Sequence, residues 1–156
     1  MKSKDIPRGE QDHMEFLEHM KQYLTDSYSQ NAYVNLLDMR IDDIREGMAS
    51  VTMPVAPDKH TNLYKCIHGG AVASLADTVM GIACATTGNR VVTIDLNINY
   101  ISNAAQNDII RGTGTVIHCG RKTMVVECEI LAHNSKLIAK SRGTFMVIGK
   151  FEELQR

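Results

Sequence analysis

The sequence has no tryptophan, and aromatic residues make up only 5% of it. A core with so few rings has to be aliphatic, and nine methionines supply side chains adaptable enough to fill it. No stretch approaches the roughly 20 apolar residues of a membrane span, so a membrane is not expected as a partner. Charge of one sign is also missing: 17 Lys and Arg stand against 18 Asp and Glu, a net charge of −1. A general nucleic-acid binder would carry a marked basic excess, and nucleic acid is not expected either. Cys66, Cys84, Cys119 and Cys128 form no CxxC pair, so neither a zinc site nor a thioredoxin-like motif is suggested. Each lies in apolar or strand-like sequence and is expected to be a reduced, buried thiol. The six histidines show no HxH or HxxxH spacing, and no metal is expected. GxSxG, GxxxxGKS/T and GxGxxG motifs are all missing. The start carries charges and Pro7 but no apolar stretch, so it does not read as a signal peptide, and a cytoplasmic location is expected by default.

What is present is enough for one domain. A chain of 156 residues matches the usual domain length, with no room for a second large one. Residues 1–9 read as an irregular lead. Met14, Leu17, Met20 and Leu24 then recur at spacings of three and four, the apolar stripe of a helix over roughly residues 10–25. Asp26, Ser27 and Ser29 are expected to break it. Residues 1–30 thus form an extension with one helix, and Tyr33 to Leu37 is a short apolar segment. From Met39 the period changes to that of strands, with a slip between Ile41 and Ile44 and a hairpin turn near Gly47. Residues 56–67 are a polar loop. His68-Gly69-Gly70 opens a run of small and apolar residues to about Thr86, whose length and lack of alternation favour a helix. It is apolar nearly all round and should be buried. Its one charged residue is Asp77.

Four strands are expected next, over 91–101, 107–119, 122–131 and 136–148. In the first, Ile94, Leu96, Ile98 and Tyr100 form an apolar face opposite Thr93, Asp95, Asn97 and Asn99. In the third, Met124, Val126, Cys128 and Ile130 alternate with Thr123, Val125, Glu127 and Glu129. Gly112-Thr113-Gly114 reads as a packing feature. Residues 150–156 form a charged tail. Long strands with hairpin connections make an antiparallel sheet, and one apolar helix beside it gives an α+β fold.

The chemistry concentrates on that helix. A carboxylate in a buried helix must be paired, protonated or used, which singles out Asp77. The helix start at His68-Gly69-Gly70 offers unpaired N–H groups and glycines that admit a close ligand, a ready oxyanion or carbonyl-polarising site. Asp77 lies eight residues beyond Gly69, about 12 Å along a helix axis. One small group cannot touch both on one chain, so a site combining them needs a second copy. Arg121-Lys122 at a turn is an exposed basic pair, read either as a solubility feature or as a phosphate contact.

The run from Asn62 through His68-Gly69-Gly70 to Asp77 resembles the signature of hotdog-fold acyl-CoA thioesterases of the PaaI-like, phenylacetate-pathway group. Val92 to Tyr100 and Arg142-Gly143-Thr144-Phe145 are similar to later strands of that family, so the resemblance spans roughly residues 31–149. It implies a hotdog fold, a curved antiparallel sheet wrapped around one long central helix. It implies a homodimer with one continuous sheet, often paired again into a homotetramer. It implies sites at the dimer interface, where the Gly69 N–H polarises the carbonyl of an acyl-CoA thioester. Asp77 from the other chain would act as general base or nucleophile. Asn62 and Thr93 would orient the water or the carboxylate, and His68 would shape the oxyanion end. Gly70, Arg121 and Lys122 are implied as substrate contacts, the last two for coenzyme A phosphates. No cofactor is implied beyond the coenzyme A of the substrate. The alternatives are a hotdog-fold hydratase and a non-catalytic acyl-CoA-binding module. Bulky Leu63, Tyr64 and Cys66 depart from the small residues usual in that loop.

Overall fold

The computed structural model describes residues 8–151. In chain order the elements are helices α1 (Arg8–Ser29) and α2 (Ala32–Leu36), strands β1 (Arg40–Arg45) and β2 (Met48–Pro54), and helix α3 (Gly69–Ala85). Strands β3 (Asn89–Tyr100), β4 (Ile109–Cys119), β5 (Thr123–Ala132) and β6 (Leu137–Lys150) follow. The strands form one antiparallel sheet in the order β1-β2-β4-β5-β6-β3. Helix α3 lies across one face of it. The α+β architecture is the expected one.

The core forms where α3 meets the sheet. Leu75, Val79, Met80 and Ile82 of the helix are fully buried with Met53, Ile110, Met124, Val126 and Phe145 of the strands. Met20 and Met39 join them, so methionine fills much of the space that aromatic rings would otherwise take. The helix can lie this close because β4 is stripped of side chains beneath it. A Cβ on Gly114 would stand 3.1 Å from the Val79 carbonyl, and one on Gly112 3.3 Å from Leu75 Cγ. The Gly112-Thr113-Gly114 segment is therefore a packing device.

The N-terminal helix is longer than its sequence suggests. It runs on through Asp26 and Ser27 to Ser29. The Gln22 amide reaches Asp26 at 2.9 Å one turn away, and the Ser29 hydroxyl bonds back to the Asp26 carbonyl at 2.7 Å. These residues satisfy themselves inside the helix instead of breaking it, while Leu24 stays buried on the core side. The segment Tyr33 to Leu37 is largely α2, capped by Asn31, whose side chain accepts from the Tyr33 and Val34 N–H groups. Of the lead expected over residues 1–9, Arg8 and Gly9 belong to α1 and the rest lies outside the described residues. The tail beyond Phe151 also lies outside them.

Two of the sheet's register shifts bear on the expected strand patterns. The slip between Ile41 and Ile44 is a bulge at Asp42. A second bulge, in β3, falls at Ile94: Thr93 pairs with Phe145, yet Asp95 pairs with Thr144. Paired residues share a face, so Thr93 joins the inward face with Phe145, as Leu96 does with Gly143. The expected single alternation, with Thr93 on the polar face beside Asp95, is thus corrected. Ile94 is correspondingly 57% exposed. In β5 the expected alternation holds throughout.

Two further corrections concern burial. Cys84 and Cys128 are buried as expected, but Cys119 is exposed at the end of β4 and Cys66 is half-exposed in a loop, both beyond the cover of the helix. Helix α3 is not buried all round. Its sheet side is, but Gly69, Gly70, Ala73, Ser74, Asp77, Thr78 and Gly81 keep partial or full exposure on the opposite side. Among the described residues, no helix is long and apolar enough to cross a membrane.

Candidate active site

The loop from residue 55 to 68 sets the start of α3. It folds over His60, which is fully buried. The His60 ring nitrogen Nδ1 accepts from the Ala56 N–H at 3.1 Å, and its carbonyl accepts from the His68 N–H at 2.8 Å. Asn62 closes the next turn: its side-chain oxygen accepts from the N–H groups of Tyr64 at 2.9 Å and Cys66 at 3.1 Å. Lys65 adopts a positive φ of 58° within that turn. His68 therefore arrives at the helix already positioned.

His68 is the N-cap of α3. Its Nδ1 accepts from the Gly70 N–H at 2.9 Å, which places the proton of the neutral ring on Nε2. The Ala71 N–H bonds to the His68 carbonyl at 2.9 Å. Among the described residues, the Gly69 N–H has no acceptor. The first turn thus leaves one donor open, at the positive end of the helix dipole. Tyr100 of β3 fixes the next peptide, its hydroxyl donating to the Gly69 carbonyl at 2.9 Å. A Cβ at Gly69 would come within 3.2 Å of that ring. A cavity of about 290 Å³ opens beside it, lined by Cys66, Gly69, Val72, Tyr100, Ile101 and Ile138 among others.

Asp77 stands two turns along the same helix. The Thr93 hydroxyl donates to its Oδ1 at 2.7 Å. This is a bond from a neutral donor to a carboxylate, stronger than one between neutral groups. It exists because the bulge at Ile94 turned Thr93 inward. The other carboxylate oxygen carries no hydrogen bond among the described residues. One edge of the helix therefore presents a carboxylate held at one oxygen and open at the other.

The structure brings some of the expected residues together and leaves others apart. Thr93 and Asp77 meet, as do His68, Gly69 and Gly70. Gly69 and Asp77 share one unbroken helix and are eight residues apart, so within one chain they do not form a common site. The Asn62 oxygen is taken up by its own loop, with no hydrogen bond to Asp77. Arg121 and Lys122 are exposed on the β4–β5 turn. That turn adjoins Cys119, which the Asn89 amide contacts at 3.6 Å just past the C-terminal end of α3, far from the Gly69 of the same chain. The sequence does not anticipate the contacts of Tyr100, Tyr33 and Ser74 near these groups, although Ser74 lies inside the Asn62–Asp77 run and Tyr100 ends the Val92–Tyr100 segment. Tyr100 reads as one more apolar residue of its strand. Tyr33, whose hydroxyl lies 2.6 Å from that of Ser74, sits outside any motif. Among the described residues, no three His, Cys, Asp or Glu side chains gather as metal ligands would.

Comparison with known proteins identifies the family and the fold. The family profile described as Thioesterase superfamily matches residues 64–139. The acyl-coenzyme A thioesterase PaaI of Escherichia coli (strain K12) is 33% identical over 122 residues, which cover 78% of this chain and 86% of that one. The structure of the E. coli PaaI protein from the phenylacetic acid degradation operon superposes with a TM-score of 0.81 at 30% identity, covering 86% of this chain and 97% of that one. A structure of a hypothetical thioesterase from Streptococcus pneumoniae TIGR4 with coenzyme A has a TM-score of 0.69 at 28% identity, covering 72% and 90%. Two more structures of that protein carry alanine in place of an aspartate and of a threonine sixteen positions further on. Asp77 and Thr93 stand at the same separation. The chain therefore belongs to the thioesterase superfamily, among its PaaI-like members with the hotdog fold.

Proposed function

We propose that the protein is an acyl-CoA thioesterase whose site is completed between two copies of the chain. The observation that carries this is the pairing of an open Gly69 N–H with a Thr93-held Asp77 carboxylate on one helix, out of reach of each other. The relatives point to the substrate: one is named for acyl-coenzyme A, and another was solved with coenzyme A. The thioester carbonyl accepts from the Gly69 N–H of one chain. Asp77 of the partner subunit takes a proton from water, whose oxygen attacks the carbonyl carbon, or attacks that carbon itself. The oxyanion that develops is held by the N–H, and its collapse breaks the C–S bond. Thiolate leaves readily, so a carboxylate and one polarising donor suffice. The thiolate then takes up a proton, giving coenzyme A. The acid is free at once where water attacked; where the carboxylate attacked, a water then hydrolyses the acyl anhydride on Asp77 of the partner subunit to release it. Thr93 holds the carboxylate, His68 keeps the Gly70 donor occupied, and we assign the Asn62 amide, whose oxygen is taken up by its own loop, to orienting the water. Arg121 and Lys122 stand at the far end of α3, where a copy with its helix reversed would bring its own Gly69 end, and we assign them to coenzyme A phosphates. No cofactor takes part.

The second copy would join along β3. This strand is twelve residues long, lies at the sheet edge, and exposes Val92, Ile94 and Tyr100. Such an edge invites pairing with another strand. A twofold axis there makes a continuous sheet across a homodimer, which we expect to pair again into a homotetramer in the cytoplasm. The catalytic unit is residues 31–149, with residues 1–30 an extension and 150–156 a tail.

Thiol release from a panel of acyl-CoAs tests the reading. Hydrolysis of at least one member is expected, with kcat reduced about a thousandfold or more in Asp77→Asn at unchanged melting temperature. Full activity in that variant would remove Asp77 from the reaction. No hydrolysis by the wild type, with thermal stabilisation by acyl-CoA, would make the protein a binding module. The shared site has its own test. Gly69→Pro deletes the N–H at the first helical position, where proline is favoured but the Tyr100 ring must shift by a few tenths of an ångström, and circular dichroism checks that the variant is folded. Mixing it with Asp77→Asn chains restores one intact site in each mixed dimer, about a quarter of wild-type activity for random pairing. No recovery would place both groups in separate sites.

A further inference from the structure

The side of α3 turned away from the sheet carries two neighbouring stripes. Gly70, Ser74, Asp77 and Gly81 follow one helical row, and Ser74, Thr78 and Ile82 follow the next. Strand β3 reaches the first row through Thr93. The second row runs beneath α1 and α2, pinned there by the contact of 2.6 Å between the Tyr33 and Ser74 hydroxyls. Behind that contact lies a cavity of about 250 Å³ between α1, α2, β1, β2 and α3. Its walls include Tyr28, Met39, Ile41, Val51, Thr78 and Ile82. Met39, Val51 and Ile82 are at most 1% exposed, which makes the floor apolar. Thr78, on the cavity wall, follows Asp77 in the chain and lies on the adjoining row of the helix. Tyr28 is linked to the same region: burial, and after it the charge of Asp77, raises its hydroxyl above the ordinary tyrosine value. Among the described residues that hydroxyl has no hydrogen-bond partner.

We propose that this cavity takes the acyl chain of the substrate, and that the walls supplied by α1 and α2 limit how much of the chain is buried. The inference rests on reading Asp77 as the hydrolytic centre. An apolar cavity of about 150 Å³ holds benzene, so this one holds about ten non-hydrogen atoms. Each methylene entering it gains burial worth about fourfold in kcat/KM. The substrate class is therefore straight or compact apolar acyl groups of medium length. Atoms beyond about ten emerge past Arg40 and Asn35 at the outer end and gain nothing further.

Straight acyl-CoAs from two to sixteen carbons test this. For the wild type, kcat/KM is expected to rise about fourfold per methylene and to level off near eight to ten carbons. Ile82→Ala deepens the cavity and should move the break to longer chains. Thr78→Leu, at a half-buried position on the cavity wall, should move it to shorter ones. Circular dichroism identifies any variant that has unfolded, and the other then decides. A break point unchanged in the folded variants, or no dependence on chain length, overturns the proposal. If the wild type hydrolyses nothing, the thioesterase reading fails and the cavity is judged by calorimetric binding of the same acyl-CoAs. Affinity that grows with length and levels off earlier in Thr78→Leu supports it, and affinity independent of length overturns it.

Discussion

One hydroxyl carries much of the burden at Asp77. Thr93 donates at 2.7 Å to one carboxylate oxygen, and the other, which carries no hydrogen bond among the described residues, is the one the proposed reaction uses. A hydrogen bond to a charged group is worth about 1.5–3 kcal/mol. Thr93→Val keeps the shape of the side chain and loses the donor, so kcat should fall roughly 10- to 100-fold with KM little changed. Thr93→Ser should recover most of that loss, an outcome a merely structural role would not give. Steady-state kinetics on the two variants decides. His68 holds the opposite end in a quieter way. By occupying the Gly70 N–H it leaves only the Gly69 N–H for an incoming carbonyl. Asp77 stands out in the sequence because packing alone seldom calls for a lone carboxylate among small residues in an apolar helix, whereas Asn62 and Thr93 are singled out only by the family resemblance. Tyr100, Tyr33 and Tyr28 do not stand out, because an aromatic residue on an amphipathic element looks the same whether its hydroxyl is used or idle.

Elements were legible where packing and pattern agree. Helix α3, the hairpin at Gly47, the bulge at Asp42 and the alternation of β5 all follow from the order of apolar residues. The phase of β3 does not. Its sequence alternates without a break, and only pairing with β6 shows that the strand changes face at Ile94. The contact of α3 with β4 is equally exacting. Gly114→Ala would push a methyl group to 3.1 Å from the Val79 carbonyl, against backbone that cannot yield cheaply. Overpacking of this kind costs about 1–3 kcal/mol, so the melting temperature should drop by roughly 2–12 °C. Thermal unfolding followed by circular dichroism reads it. The same layer shields two thiols. Burial pushes Cys84 and Cys128 from the ordinary 9.0 up to about 12. A thiol reagent at neutral pH should therefore label Cys119 and Cys66 in the native protein, and Cys84 and Cys128 only after unfolding. Because the folded values are raised, the stability these thiols provide is complete below pH 9 and is lost as the pH climbs toward about 12. Tyr28 acts in the same direction. Denaturant melts between pH 8 and 12 should show that decline, and Cys128→Ala should lessen it.

For the whole molecule, the decisive quantity is the number of chains. The edge of β3 is long and partly apolar, with Ile94 57% exposed and Tyr100 54% exposed. Ile94→Asp would set a charge on that edge in each copy. Sedimentation should then show a monomer, with activity lost although Asp77, Thr93 and Gly69 are intact. A dimer that persists with full activity would argue for association elsewhere. There is also a consequence in heredity. In the shared site proposed above, α3 carries the donor at one end and the carboxylate further along, out of mutual reach, and so supplies half of each of two sites. Two alleles damaged at different points of this one helix would complement each other when expressed together. Two damaged at the same point would not, so a cross would score α3 as though it were two genes.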